Sequence, residues 1–215
     1  MHLKRQKAPK NWPTKRKGTT FVVRPNFSIQ KGLPILIILR DLLKLAQNRK
    51  EVKKVIHERN ILLNRKQVKD EKNTALLFDI MTLIPSKEDY RLELSEGGKF
   101  YAKKIKQEES YEKISKIINK KTLKAKKTQL NLSDGRNFIS DLKCNVNDSV
   151  LINLEKGKIE KCLPLKEKAK VIIFAGKHTG KTGIINNIDL KKNLVKLEIN
   201  KKEIDVLIKQ VMAIE

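Results

Sequence analysis

Hydrophobic residues between positions 35 and 57 recur every three or four residues. In the first part of this stretch they are Leu36, Leu39, Leu42, Leu43 and Ala46, and in the second part Val52, Val55 and Ile56. This spacing is typical of the buried face of a helix. We therefore expect two helices, separated by a break near residues 47–48.

From residue 61 onward the pattern changes to short strands. Residues 61–63 and 67–69 flank a turn at Asn64-Arg65 and predict a hairpin. Residues 76–84 predict one or two apolar strands that end at Pro85. This pattern continues the β region beyond the hairpin.

Two further hairpins are indicated in the middle of the chain. Residues 90–94 alternate between apolar and polar side chains and return through residues 100–101 after a Gly-rich turn. Residues 128–132 alternate in the same way before Asp134-Gly135, a strong tight-turn signal. The last fifty residues contain several short apolar runs, which predict a small barrel.

Together these patterns predict an α+β fold of several modules. A basic N-terminal arm would occupy residues 1–34 and a small αβ module residues 35–74. A central β domain would follow over residues 75–165, and a small β-barrel over residues 166–215.

The N-terminal segment has no acidic residue before Asp41. Prolines at positions 9, 13, 25 and 34 exclude a long helix, and the segment is too polar to build a core of its own. We therefore expect an extended arm that is disordered in the free protein and orders on a partner. Its anchors would be Trp12, Phe21, Val22, Val23 and Phe27.

The net charge points to a polyanionic partner. Lys and Arg number 49 against 24 Asp and Glu, a formal charge of +25. Such a surplus is favourable beside nucleic acid, where each cation displaces a condensed counterion. A biased, lysine-rich genome would raise glutamate as well, which is not observed. Because aromatic residues are only 5% of the chain, folded RNA contacted through its backbone is favoured over a single strand.

The cations are spread over several predicted surfaces. Lys50, Lys53, Lys54 and His57 share one helix face. Seven lysines lie in residues 113–127 without an acid, which predicts a further basic face or loop. The residues predicted to contact RNA are Lys4, Arg5, Lys7, Lys10, Trp12, Lys15, Arg16, Lys17, Arg24, Lys50, Lys53, Lys54, His57, Arg59, Arg65, Lys66, Lys124, Lys126, Lys127, Arg136, Lys177, His178 and Lys181.

Residues 175–182, Ala-Gly-Lys-His-Thr-Gly-Lys-Thr, fit the loose pattern of a phosphate-binding loop. In a nucleotide hydrolase Lys181 would contact the terminal phosphates and Thr182 would hold Mg²⁺. A helix must follow such a loop, but β-branched and Asn residues follow Gly183. We therefore favour a basic β-turn that contacts RNA phosphates, with the hydrolase as the alternative.

No other catalytic or metal site is predicted. The three histidines lie in basic surroundings, and no catalytic pair or triad stands out, so neither an enzyme, a cofactor nor a small-molecule substrate is expected. Cys144 and Cys162 lack zinc-site spacing and are expected to be reduced core thiols. The apolar run at residues 33–39 is too short to cross a bilayer, so no membrane partner is expected.

Four stretches of sequence carry a family resemblance. They are residues 2–5, 8–10, 12–13 and 16–17 of the arm; residues 39–46, Leu-Arg-Asp-Leu-Leu-Lys-Leu-Ala; residues 129–132 with 134–137; and Gly176-Lys177-His178, Gly180-Lys181 and Gly183. In this order they resemble the family of small-subunit ribosomal protein four of archaea and eukaryotes.

The resemblance implies a structural, non-catalytic constituent of the small subunit in the cytoplasmic ribosome. Its partners would be small-subunit rRNA and neighbouring small-subunit ribosomal proteins. The second segment would be an RNA-binding module, and the last an SH3-like barrel with a KOW motif. The chain departs from the family at residues 26–28, where Gly-Pro-His is expected, and at Arg65, where Gly is usual. A ribosome-associated assembly or transcription factor built from the same modules is the alternative.

Overall fold

The computed structural model describes residues 2–123, 127–199 and 202–214. The chain is mostly β, with few helical segments, so its helix content is lower than the predicted α+β class implies. It forms two compact units. Unit 1 comprises Met1–Ser95 and Lys99–Tyr111, and unit 2 comprises Glu96–Gly98 and Glu112–Glu215.

Unit 1 contains the helices α1 (Ile35–Ile37) and α2 (Arg49–His57). Its strands are β1 (Leu3–Lys4), β2 (Phe21–Val22), β3 (Gly32–Pro34), β4 (Ile61–Leu63), β5 (Lys66–Gln67), β6 (Thr74–Leu76), β7 (Ile80–Leu83), β8 (Glu88–Leu94) and β9 (Phe100–Ile105). β1 pairs with β2 and β3 with β6, while a five-stranded antiparallel sheet has the order β5-β4-β7-β8-β9.

The N-terminal arm folds against its own chain, which corrects the expectation that it orders only on a partner. The side chains of Leu3 and Trp12 are buried in unit 1. The backbone N–H of Phe100 donates a hydrogen bond to the carbonyl oxygen of Asn11 over 2.9 Å. Of the predicted anchors, Trp12 is therefore buried within unit 1, whereas Phe21 and Phe27 are exposed.

The first predicted helix is shorter than expected. α1 leads into a π-helical turn (Ile38–Leu42), in which the N–H of Leu43 donates to the carbonyl of Ile38 over 2.9 Å. Lys44 has a positive φ of 55°, which ends the helix. Because α1 and the start of the turn are completely buried, tertiary packing decides their conformation and overrides the amphipathic pattern.

The second predicted helix is α2, and side chains cap its N-terminus. The side chain of Asn48 accepts the N–H of Glu51 over 3.1 Å, and the Glu51 carboxylate accepts the N–H of Gln47 over 2.6 Å. Val52 and Ile56 face the core. The cationic face of α2 therefore points to solvent.

Both hairpins predicted for this part of the chain are present. Asn64 and Arg65 have φ of 50° and 62°, as a type I′ turn between β4 and β5 requires. β8 and β9 form the other hairpin. The sheet continues across residue 75, where the sequence suggested a domain boundary, because Ile61 pairs with Leu83.

Unit 2 contains two five-stranded antiparallel sheets, ordered β12-β11-β10-β13-β14 and β18-β17-β16-β15-β19. The strands are β10 (Glu112–Thr122), β11 (Thr128–Leu132), β12 (Asn137–Ile139), β13 (Ser149–Asn153), β14 (Lys158–Leu163), β15 (Lys170–Ile173), β16 (Thr182–Asp189), β17 (Leu194–Ile199), β18 (Lys202–Leu207) and β19 (Val211–Ala213). The short strands predicted after residue 166 are thus present.

The long strand β10 holds the first of these sheets together. Its first half pairs with β13 and its second half with β11, with an irregularity between Ile117 and Asn119. Most of the lysine run predicted as a basic loop or face lies in this strand. Because side chains alternate along a strand, Lys113 and Lys116 point to opposite faces of β10, and both are buried.

Each sheet of unit 2 has its own apolar core. Ile117, Leu130 and Val150 belong to the first core. Val171, Leu197 and Val211 belong to the second. These cores position the loops that carry the exposed cations of unit 2.

Candidate nucleic-acid interface

Helix α2 presents a cationic face. Lys50, Lys53, Lys54 and His57 are all exposed, as the helical spacing predicts once Val52 and Ile56 are buried. Lys54 lies 3.9 Å from Glu58 on the next turn. A solvent-exposed pair of this kind is weak, so the face keeps its positive charge.

Arg59, in the turn after α2, and Lys66, in the following hairpin, are also exposed. Arg65 differs from its prediction as an RNA contact. Its guanidinium donates to the hydroxyl of Ser110, lies 4.2 Å from the ring centre of Tyr111 and is 3.9 Å from Asp89. Arg65 therefore joins the turn to the rest of unit 1 through contacts that occupy its side chain.

The arm presents its cations on a closed loop. Arg5 donates to the carbonyl oxygens of Lys15 (2.7 Å) and Thr19 (2.6 Å) and to the hydroxyl of Thr19 (2.7 Å). These bonds bring the two ends of the loop together. The predicted contact residues that it leaves exposed are Lys4, Lys7, Lys10, Lys15, Arg16 and Lys17.

Trp12 does not present a surface to a partner. Its side chain is only 2% exposed. The prediction that Trp12 contacts RNA is therefore corrected, because the indole packs inside unit 1 as an anchor of the arm.

Arg24 lies in a cleft that the linear pattern did not reveal. The cleft has a volume of about 750 Å³. It gathers basic and aromatic residues from distant positions: His2, Arg5, Phe21, Arg24, Phe27, Arg40, Arg49 and Lys72. The pairings of β1 with β2 and of β3 with β6 bring the arm beside residue 72, and neither pairing has a clear sequence signal.

In unit 2 the loop between β15 and β16 carries Lys177, which is exposed, and His178 and Lys181, which are half-buried. Strand β16 begins directly at Thr182, so the loop leads into a strand, as the β-branched residues predicted. The positive φ of Gly176 (94°) and Gly180 (89°) explains both glycines by turn geometry.

Two lysines of β10 are buried in unit 2, although the lysine run predicted a basic face or loop. The ammonium of Lys113 lies 2.7 Å from the carboxylate of Asp134, and both side chains are buried. Lys116 donates to the carbonyl oxygens of Ile208 and Val211. Burial lowers the pKa of Lys116 to about 8.

The remaining predicted contacts near this sheet differ in their surroundings. Lys127 is exposed, whereas Arg136 is half-buried and lies 3.7 Å from Asp134. Burial favours protonation of Asp134, but Lys113 and Arg136 outweigh it and lower the pKa of that carboxyl. Lys124 and Lys126 lie outside the described residues.

The cysteines lie together at the core of the first sheet of unit 2. Cys144 is buried and Cys162 packs against the same core; both are reduced. Burial, followed by the neighbouring Cys144 and Asp148, raises the pKa of Cys162 to about 12. Within residues 2–123, 127–199 and 202–214, no group of three His, Cys, Asp or Glu side chains is placed to hold a metal ion.

In the described part of the chain, none of the helices combines the length and the apolar character needed to cross a membrane.

Two regions of the chain match known protein families. Residues 86–159 match the family described as "Ribosomal family S4e". Residues 1–27 match the "RS4NT (NUC023) domain". The second match covers most of the arm, and the first extends from β8 to β14.

Relatives of known identity match over most of their length. "Small ribosomal subunit protein eS4" of Methanocella arvoryzae is 34% identical over 195 residues, covering 89% of this chain and 82% of that protein. The protein of the same name from Nanoarchaeum equitans is 35% identical over 206 residues, covering 92% of this chain and 88% of that protein.

A solved structure has the same fold. The crystal structure of the 30S ribosomal protein S4e from Thermoplasma acidophilum superimposes with a TM-score of 0.75 at 26% sequence identity. The match covers 86% of this chain and 95% of that chain.

Proposed function

This chain belongs to the family of small ribosomal subunit protein eS4, and on that premise we propose that it is a structural, non-catalytic constituent of the small subunit in the cytoplasmic ribosome and binds small-subunit rRNA. The observation that carries the proposal is the placement of exposed cations on the arm loop, on α2 and on the loop before β16. Each surface can neutralise phosphates separately.

The same proposal extends to the four segments predicted from the sequence. The arm (residues 1–34), the αβ module (35–74), the central β domain (75–165) and the C-terminal segment (166–215) each supply contacts to rRNA. The C-terminal sheet β15–β19 acts as a KOW-type barrel whose loop presents Lys177 to phosphate. Neighbouring small-subunit ribosomal proteins are the other partners.

The salt dependence of binding tests the mechanism. We expect the affinity of the full chain for small-subunit rRNA to fall about 10³- to 10⁵-fold between 50 and 200 mM salt, because roughly 6–10 phosphate contacts each release counterions. Filter binding at several salt concentrations measures this slope. An affinity that hardly changes with salt contradicts phosphate neutralisation as the basis of binding.

A triple variant assigns part of that slope to one surface. Lys50→Gln/Lys53→Gln/Lys54→Gln should lower the slope of log affinity against log salt by about 2 to 3. The matched control is Lys156→Gln/Lys158→Gln/Lys161→Gln, which removes the same charge from exposed positions near β14. If the α2 variant has the same slope of log affinity against log salt as the control, the result contradicts a contact between α2 and rRNA.

Co-sedimentation separates a constituent from a transient factor. A constituent stays with the small subunit through a high-salt wash at one copy per subunit. An assembly or transcription factor is stripped by the wash.

A further inference from the structure

The cleft around Arg24 combines cations and exposed aromatic rings in one place. The β1–β2 pair supplies Phe21, and the segment that follows β2 supplies Arg24 and Phe27. Lys72, just before β6, also lines the cleft. Its volume of about 750 Å³ lies within the range of about 300–1,000 Å³ typical of small-molecule sites.

Two of the arginines in the cleft are already paired with carboxylates. Arg40 binds Asp41 through two hydrogen bonds of 2.8 and 2.9 Å. Arg49 donates to both carboxylate oxygens of Glu71 from Nε, and to one of them from Nη2 as well. The charges of Arg40 and Arg49 are therefore largely compensated by these carboxylates.

The charges of three other cations in the cleft are not compensated by a carboxylate. Arg5 donates only to neutral oxygens of Lys15 and Thr19. Arg24 and Lys72 have no carboxylate partner within 4 Å among the described residues of the chain. The cleft is therefore a site where an anionic group would be neutralised.

The aromatic rings beside these cations are open to solvent. Phe21 is 52% exposed and Phe27 is 47% exposed. The ring of His2 lies 5.2 Å from that of Phe21, centre to centre, with the planes tilted by 46°. Phenyl rings at this exposure offer faces on which a planar group can stack.

We infer that this cleft holds one unstacked nucleotide of rRNA, with its base on Phe21 or Phe27 and its phosphates against Arg24 and Lys72. RNA links a planar base to a phosphate at short range, and proteins recognise unpaired nucleotides by stacking on aromatic rings. A protein segment would need an acidic and an aromatic group in the same arrangement. The inference rests on the proposed function and adds a base-dependent contact to it.

Oligonucleotides with and without bases test the inference. The probes are a fluorescent uridine decamer and a decamer of the same phosphate number in which every nucleotide is abasic. We expect the full chain to bind the uridine decamer about 5- to 100-fold more tightly, the range that stacking of one base provides. Fluorescence anisotropy at fixed salt measures both affinities.

Single substitutions then locate the effect. Phe21→Leu or Phe27→Leu should abolish most of the preference for the uridine decamer and leave binding of the abasic decamer unchanged. Arg24→Gln should weaken binding of both decamers. Leu190→Ala is the control, because Leu190 is also an exposed apolar side chain (76%) but lies in unit 2.

A cross-linking experiment on the unmodified chain does not depend on the folding of variants. A decamer that carries 4-thiouridine should cross-link to the peptide that contains residues 21–27. Cross-links confined to other peptides overturn the inference, and so does equal binding of the two decamers. If the chain still binds rRNA in a salt-dependent way, either result overturns this inference alone. If salt-dependent rRNA binding is itself absent, the proposed function is overturned as well.

Free uridine monophosphate distinguishes the two sources of such a ligand. A nucleotide within rRNA is favoured if the monophosphate displaces the decamer only at concentrations far above the decamer Kd. Displacement at concentrations near that Kd identifies a site for free nucleotides and overturns the inference.

Discussion

Single residues show how differently the lysines of this chain are used. Lys113 and Lys116 stand three positions apart in β10, and both are buried. Lys113 has a carboxylate partner in Asp134, while Lys116 donates to the carbonyl oxygens of Ile208 and Val211 and lies 5.9 Å from the ring centre of Phe174. Neutral acceptors compensate a buried charge less completely than a carboxylate does. Lys116 is therefore the residue at which burial should affect stability most.

We predict that Lys116 makes unit 2 more stable as the pH rises from about 8 to about 10.5. In this window the unfolded chain keeps the proton of Lys116, with its ordinary pKa of 10.5, while the folded chain has released it at about 8. The free energy of unfolding should then rise by up to about 1.4 kcal/mol per pH unit from this residue.

Urea denaturation at several pH values measures this contribution as the difference between the chain and its Lys116→Met variant. The variant should lose the rise with pH, because methionine keeps the packing volume without a titrating group. Parallel curves for the two proteins would show that the two carbonyl bonds offset the effect of burial.

At the scale of elements, the glycines that suggested a phosphate loop have structural roles. Gly176 and Gly180 adopt positive φ in the turn between β15 and β16. Gly183 lies within β16, where the neighbouring strand β17 approaches closely. A Cβ added at Gly183 would lie 2.7 Å from the carbonyl oxygen of Glu198. The three glycines are therefore explained by the turn and by the close approach of the two strands.

We predict that Gly183→Ala lowers the free energy of unfolding by about 1–3 kcal/mol, the usual cost of overpacking. The new methyl group would meet backbone of β17, which cannot move without disturbing the sheet. Thermal or urea denaturation measures the loss. Thr182→Ala is the matched control at the exposed neighbouring position and should change stability by less than about 0.5 kcal/mol. Equal effects at both positions would contradict the close approach.

The elements also differ in how far the sequence predicts them. The hairpins were found because their turns have local chemistry: Asn64, Arg65 and Gly135 adopt the left-handed backbone that such turns favour. The first helix was predicted too long, because its buried residues follow tertiary packing. β10 was missed because buried lysines on both of its faces, Lys113 and Lys116, obscure the apolar and polar alternation of a strand.

At the scale of the whole molecule, the state of the arm in the free protein determines whether the arm must become ordered when the chain binds RNA. Its anchors Leu3 and Trp12 are buried in unit 1. An arm already packed in this way loses less conformational entropy on binding than a disordered one. The order of the arm in the free protein is therefore a measurable part of the mechanism.

Trp12 is the only tryptophan of the chain and reports directly on the arm. We predict that its fluorescence in the free protein is blue-shifted and poorly quenched by acrylamide, because the indole is buried. Leu3→Asn should increase quenching by loosening β1, whereas Lys4→Asn, at the exposed neighbour, should not. Efficient quenching in the unmodified chain would restore the expectation of a disordered arm.

The sequence by itself determined the kind of partner and the local elements, because net charge, turn chemistry and helical spacing are properties of composition and of neighbouring residues. It also carried the family resemblance that the relatives confirm. Only the tertiary structure decided which cations face solvent. Lys116 and Lys127 belong to the same lysine run, but long-range packing against residues 208 and 211 buries Lys116, while Lys127 is exposed. The cleft around Arg24 depends likewise on pairings between distant strands, which no local pattern encodes.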